Sequence, residues 1–344
     1  MLSQTICACS LMAGAMTAAQ GHSVSDVLVT KRLLPTGFND ANVGNGFLAF
    51  KVGEHCDDQQ CSMTSTPRFE RLGDRSGDSQ KTLGGLHIAG LFNGLSNYTP
   101  SHRARLPSIH NVYLGGPSRF VQQALDVRRG VFTNTTRVGG ATGCALTVEQ
   151  RLFCHRTRRN VMVMELEALS AEAEANCSAT VPLIHREEAT AAGTVDVAFE
   201  SFETDAAAAA SAQAEAGITV AVLGATRLPE LHGMAPTHVG LAYDAVPHTI
   251  TLRNGDTRRF ILAAHTEQED IPASELVSRA TNTLTAARAS KTLMAEHVGG
   301  WAEIWRSGIE IQGNVTVSRA VNASLYYLHS ALRHDWCVAA FPSV

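Results

Sequence analysis

No stretch of this chain approaches the roughly 18 uninterrupted apolar residues of a membrane-spanning helix, so no helical span is expected. Charge is also scarce. Only 17% of the 344 residues are Asp, Glu, Lys or Arg, with a formal net charge of -4. The weak acidity argues against a nucleic-acid partner, and no basic run suggests binding to a membrane surface. Aromatic residues are 6% of the chain, too few to suggest a clustered platform for stacking sugars. There is no P-loop, no Gly-x-Ser-x-Gly elbow and no His-Glu-x-x-His zinc helix. The 14 histidines are scattered, and neither a metal nor a cofactor is expected. One near-match exists: Gly44-Asn45-Gly46 followed by Ala49 fits a dinucleotide fingerprint in letters alone. The fingerprint needs a helix where Phe47–Val52 reads as a strand, so it is rejected.

What is present is an ordinary globular composition, 44% hydrophobic, long enough for one large or two average domains. Residues 1–21, MLSQTICACSLMAGAMTAAQG, are uncharged and mildly apolar and contain small-residue cleavage sites. They read as a weak secretory leader, which predicts a secreted protein; the alternative is a cytoplasmic tail. Asn97, Asn134, Asn176, Asn314 and Asn322 each begin an Asn-x-Ser/Thr tripeptide. Asn97 and Asn134 are the best glycan acceptors on the expectation that both lie in loops or turns, whereas Asn322 falls within a helical pattern. Cys56 and Cys61 flank a polar turn and are spaced so that they could close a small local disulfide; the spacing fits no zinc pattern and does not fix the disulfide connectivity.

From residue 22 to about 268 the dominant period is two. In Ala145–Phe153, Leu146, Val148 and Leu152 alternate with Thr147, Glu149 and Arg151, as in a half-buried antiparallel strand. Comparable segments are Arg119–Val127, Asn160–Leu169, Ala179–Ile184, Thr194–Phe202, Ile218–Leu223 and His238–Ala245. Thr249–Leu252 and Arg259–Leu262 flank Asn254-Gly255, a strong hairpin signal. Near Pro272 the period becomes helical. Leu276, Ala280, Thr283 and Ala287 mark one helix, Trp301 and Trp305 sit at core spacing on a second, and Val321, Leu325, Leu328 and Leu332 stripe a third. The reading is mainly β followed by α: residues 22–268 as a β domain and 269–344 as linking helices.

The stretch Leu86–Val112, LHIAGLFNGLSNYTPSHRARLPSIHNV, is read as a strand, a long polar loop from Asn93-Gly94 to Pro107, and a second strand. Asn93, His102 and Arg103 in that loop are the candidate sugar-binding residues, since His102 and Arg103 offer donors to hydroxyl groups. The competing reading has Arg103 and Arg105 anchoring the loop through backbone carbonyls.

The pieces NVGNGFLAFKV, LHIAGLFNG, HRARLPSIHNV, ALDVRRGVF, VEQRLFCHRTRRNVMVMELEA, GGWAEIWRSGIEIQG and RAVNASLYYLHSAL occur in this order. Together they resemble the N-terminal part of glycoside hydrolase family 65, in particular its acid trehalase-like animal glucosidases. The resemblance implies a two-layer antiparallel β-sandwich, galactose-mutarotase-like, then linker helices and a catalytic α/α barrel. It implies an α-glucoside partner, the collagen-linked glucosyl-galactosyl disaccharide among them, cleaved by inversion between two barrel carboxyl groups. The barrel motifs Trp-Glu-Ser-Ala and Trp-Asp-x-Asp-Leu-Trp do not occur in these 344 residues, so no catalytic residue is assigned.

Overall fold

The clearest alternation in the sequence lies at the middle of the largest sheet. The computed structural model describes residues 26–32, 41–52, 85–94, 102–107, 109–139, 144–170, 177–185, 196–200, 219–230 and 233–332. In it, Ala145–Cys154 forms strand β9, with Leu146, Val148 and Leu152 buried. It pairs with β8 (Val131–Gly139) on one side and β10 (Val161–Ser170) on the other, Leu152 lying opposite both Phe132 and Met164.

The sheet runs β1 (Val27–Thr30), β7 (Ser118–Asp126), β8, β9, β10, β16 (Thr257–Thr266), β14 (His238–Asp244), β13 (Thr219–Thr226) and β12 (Val197–Phe199). Facing it are two smaller sheets. One is β2 (Asn42–Gly44), β3 (Leu48–Lys51), β4 (Gly85–Asn93) and β5 (His102–Leu106); the other is β15 (Thr249–Arg253), β11 (Ser178–His185) and β6 (Val112–Leu114). Every pairing among the described strands is antiparallel. The layers meet in one apolar core, where Phe50, Leu86, Ile88, Leu106 and Leu114 are buried with Leu146, Met162, Met164, Leu241 and Leu262. This is the expected two-layer β-sandwich followed by helices.

The Gly44–Gly46 stretch turns the chain from β2 into β3, with no helix after it. Asn45 holds that turn: its Oδ1 accepts from Phe47 N and Leu48 N (2.9 and 2.7 Å), and its Nδ2 donates to the carbonyls of His155 and Arg159.

Two strands depart from the sequence reading. His102–Leu106 is a strand paired with β4, so the polar loop is shorter than expected; residues 95–101 lie outside the described residues. β8 has no apolar alternation to betray it, because Asn134 and Thr136 occupy two of its inward positions beside Phe132 and Val138. Asn134, expected in a turn, is therefore a strand residue with 1% exposure, and a glycan there would have to open the sandwich. Asn97 lies outside the described residues, as do Cys56, Cys61 and residues 1–21. A disulfide not foreseen from spacing joins Cys144, at the start of β9, to Cys177, just before β11. It ties the large sheet to the layer facing it.

The outer face of the large sheet carries α1 (Ala273–Ala289), entered at Pro272. Its Leu276, Ala280, Leu284 and Ala287 are buried over the small or branched residues Ala242, Ile261, Ala263 and Val163. Gly240 makes that approach possible, since a Cβ there would stand 2.5 Å from the Leu276 carbonyl carbon.

α2 (Leu293–Ile304) and α3 (Val315–Ala331) dock against the β7–β8 turn and the first strands. Trp301 (0% exposed) packs on Tyr326 with ring centroids 5.2 Å apart. Trp305 Nε1 donates to the Val127 carbonyl at 3.2 Å, and the Arg128 guanidinium lies 4.3 Å over the Trp305 ring. The expectation for α3 needs correcting. Its buried line is Asn322, Tyr326 and Ser330, while Val321 and Leu325 are half-buried and Leu328 (52%) and Leu332 (55%) are exposed. The reason is a polar seat beneath the helix. Asn322 Nδ2 donates to Asp26 Oδ1 (2.9 Å), Tyr326 OH donates to the Asn42 carbonyl (3.1 Å), and Gly46 N donates to the Ser330 carbonyl (2.9 Å). Directional hydrogen bonds, each costly to leave unmade when buried, set the rotation of the helix over its apolar stripe.

Candidate functional site

The candidate residues Asn93, His102 and Arg103 do come together, at the junction of β4, β5 and β12. Asn93 ends β4 and lies opposite His102, the first residue of β5; Phe92 lies opposite Arg103. The residue that organises them is Asp196, at the start of β12, which the sequence reading did not single out.

Asp196 Oδ1 accepts from His102 Nε2 at 3.0 Å and from Asn93 Nδ2 at 3.3 Å, and its Oδ2 accepts from the backbone N of Arg105 at 3.0 Å. Burial alone would raise the carboxyl pKa. The His102 hydrogen bond, the Arg105 backbone bond and the charges of His102 and Arg105 outweigh it and hold Asp196 below its ordinary value. Asn93 is engaged at both ends, its Oδ1 accepting from Leu228 N at 3.0 Å. Gly94 N then donates to the Leu228 carbonyl (3.2 Å), with the chain so close that a Cβ on Gly94 would meet Pro229 O at 1.5 Å. No side chain fits there.

The knot therefore sews an edge of the four-stranded sheet to the last strand of the large sheet. Asn93 is buried, the His102 side chain keeps 34% exposure, and Arg103 points to solvent. Arg105, expected to bind carbonyls, is buried and contributes its backbone amide to Asp196. Chemically the knot holds one carboxylate, committed to three donors, whereas glycoside cleavage needs two carboxyl groups in different protonation states. Its present work is to join strands. Among the described residues, no group of three or more His, Cys, Asp or Glu is arranged to hold a metal ion.

Sequence could not reveal Asp196, because it lies 94 residues from His102 and in no recognisable motif. The same holds for the second polar assembly, around Arg156. Its Nη1 donates to the carbonyls of Asn45 (3.0 Å) and His329 (3.1 Å), and its guanidinium stacks 5.0 Å from the Trp301 ring centroid. His297 Nδ1 accepts from Arg156 N at 3.1 Å. Burial pushes the His297 pKa down to about 3 and that of His155, which donates to the Leu293 carbonyl, down to about 4. Both are neutral supports for α2.

Residues 116–304 match the sequence pattern of the glycosyl hydrolase family 65 N-terminal domain. The chain belongs to that family. Two proteins named protein-glucosylgalactosylhydroxylysine glucosidase are similar to this family 65 chain. The one from Dictyostelium discoideum is 25% identical over 90% of the chain, and the one from Mus musculus 27% identical over 72%. The chain covers 38% and 33% of their respective lengths. A solved structure described as a putative kojibiose phosphorylase from human microbiome shares the fold. It superposes with a TM-score of 0.57 at 10% identity, over 90% of this chain and 42% of that one. These likenesses make the protein glycoside hydrolase-related, with a carbohydrate as the class of molecule its relatives act on.

Proposed function

We propose that this chain is the N-terminal sandwich of a glucosidase that removes glucose from glucosyl-galactosyl-hydroxylysine by inverting hydrolysis, using carboxyl groups outside these 344 residues. The observation that carries the reading is that two relatives bearing that one name align along 90% and 72% of the chain. The Asp196 knot agrees with it, since a single saturated carboxylate leaves the chemistry to another part of the enzyme. The test is to read the transcript beyond Val344, express its whole product, and compare that product with the 344 residues on glucosyl-galactosyl-hydroxylysine and on trehalose. Glucose release by the longer product alone is expected. Turnover by the 344 residues alone, or a longer product inert on the hydroxylysine glycoside, overturns the reading.

A stand-alone sugar-binding module is the competing function, and the surface speaks against it. Among the described residues Tyr327 is the one exposed large aromatic, at 37%, and Trp301 and Trp305 are buried in the helix dock. Among the described residues, a sugar face has no platform of rings to stack on.

We further propose that the protein is secreted, with the Cys144–Cys177 disulfide as support, since such bonds persist in oxidising compartments. Expression in animal cells is expected to give medium-borne protein that starts near Gln20 or His22 and loses mass on glycosidase treatment at Asn97. Cytosolic protein with Met1 intact and no mass change sinks this proposal.

A further inference from the structure

Arg119 on β7 and Arg137 on β8 stand directly opposite each other in register, and both are exposed. Directly opposed side chains on one sheet face have Cβ atoms about 4.5–5.5 Å apart, close enough for like charges to repel. The other arginines on this outer face are answered by acids. Arg151 meets Glu149 and Glu167 at 2.7 and 2.5 Å, and Arg259 meets Glu165 at 2.7 Å. Arg137 instead faces Thr147 on β9. Glu149, the next acid on that strand face, lies opposite Thr135 and is held by Arg151. No carboxylate among the described residues forms an ion pair with Arg119 or Arg137. At the same edge, β1 ends with Thr30 opposite Gln123, and the chain continues through exposed Lys31 and Arg32. A chain of net charge -4 thus gathers cations at one corner, two of them directly opposed in register with no ion-pair partner among the described residues.

We propose that Arg119 and Arg137 form an oxyanion-binding pair that takes a sulfate, phosphate or carboxylate group between their guanidinium forks. The planar donors of two adjacent arginines suit such a group, and its negative charge removes the repulsion between them. The site is distinct from the Asp196 knot and does not depend on the proposed glucosidase activity.

The test uses the whole chain, with Arg119→Gln and Arg137→Gln as variants; both residues are exposed, so neither change threatens folding. Thermal unfolding at pH 7.5 is followed in sodium sulfate, sodium phosphate and a hexaglutamate peptide, each against sodium chloride at matched ionic strength. Wild type is expected to be stabilised beyond the chloride control, with the concentration required rising about tenfold or more in either variant. In low-salt chloride each variant is expected to be as stable as wild type or more so, because the repulsion is gone. A response to the inorganic ions alone assigns the site to a free ion. A response to hexaglutamate at lower concentration assigns it to an acidic segment of a protein partner. Identical responses of wild type and both variants, or variants less stable than wild type in chloride, overturn the proposal.

Discussion

The α-carbon of Gly130 rests against the indole of Trp301: a Cβ built on it would lie 2.2 Å from Nε1. The backbone there also has φ 63°, a conformation that side chains other than glycine avoid. Gly130→Ala combines both penalties at the seam between sandwich and helices. The expected loss is about 2–5 kcal/mol in urea unfolding, from strain together with overpacking. Gly255, with φ 85° and nothing within 4 Å of its added Cβ, is the control; Gly255→Ala should lose only about 1–2 kcal/mol.

The Asp196 knot separates anchoring from sugar contact. Asp196→Ala removes the acceptor shared by Asn93, His102 and Arg105 N, and is expected to cost about 2–4 kcal/mol. His102→Ala should cost about 1–2 kcal/mol, and Arg103→Ala, at an exposed position, less than about 0.5 kcal/mol. Urea midpoints rank the three. If Arg103→Ala is as damaging as Asp196→Ala, the geometry described for the knot is wrong.

Stability should fall on mild acidification. Burial pushes His87 and His155 down to about 4, and His110 and His297 down to about 3, from an ordinary value near 6.5. Between those values and 6.5 the unfolded chain binds protons that the folded chain does not, so stability rises with pH there and levels off above about 6.5. Each such histidine costs up to about 1.4 kcal/mol for each pH unit below 6.5. The depressed carboxyls of Asp196 and Glu269 add a loss in the same direction at still lower pH. Urea midpoints at pH 7.5, 6.5 and 5.5 check the slope, and His110→Gln should flatten it.

The disulfide encloses a sequence separation of 33 residues, for which loop entropy gives about 3–4 kcal/mol. Reduction, or Cys144→Ser, should lower stability by about 2–4 kcal/mol. Peptide mapping after alkylation with and without reduction checks the bond at Cys144 and Cys177 themselves; Cys154 is buried and its thiol is pushed far above the usual range.

Where side chains alternate by simple hydrophobicity, the sequence was enough. β9 could be read residue by residue, but the hairpin expected at Asn254-Gly255 does not form: Gly255, with φ 85°, turns the chain out of β15, which pairs with β11, into β16, which pairs with β10 and β14 in the large sheet. It failed where polar atoms take interior positions. β8 places Asn134 and Thr136 inward, so its period vanished. The rotation of α3 is fixed by Asn322, Tyr326 and Ser330 meeting partners almost the whole chain away. The knot was half legible: Asn93 and His102 were noticed for being polar between apolar strands, but their purpose depends on Asp196, which no local pattern announces. Cys144 and Cys177 escaped for the same reason, since spacing favours local pairs and topology decided the distant one.

Asp26 Oδ1 receives Arg128 Nε at 3.0 Å and Asn322 Nδ2 at 2.9 Å, the second across 296 residues of chain. That bond sets a clock on biosynthesis. At roughly 5–20 residues per second, a ribosome needs roughly 15–60 s to travel from Asp26 to Asn322. Throughout that interval the nascent β1 edge has no closing helix, and the seat that Tyr326 and Ser330 will cover stays open. The sandwich is therefore left unsealed at this corner until α3 has emerged from the ribosome.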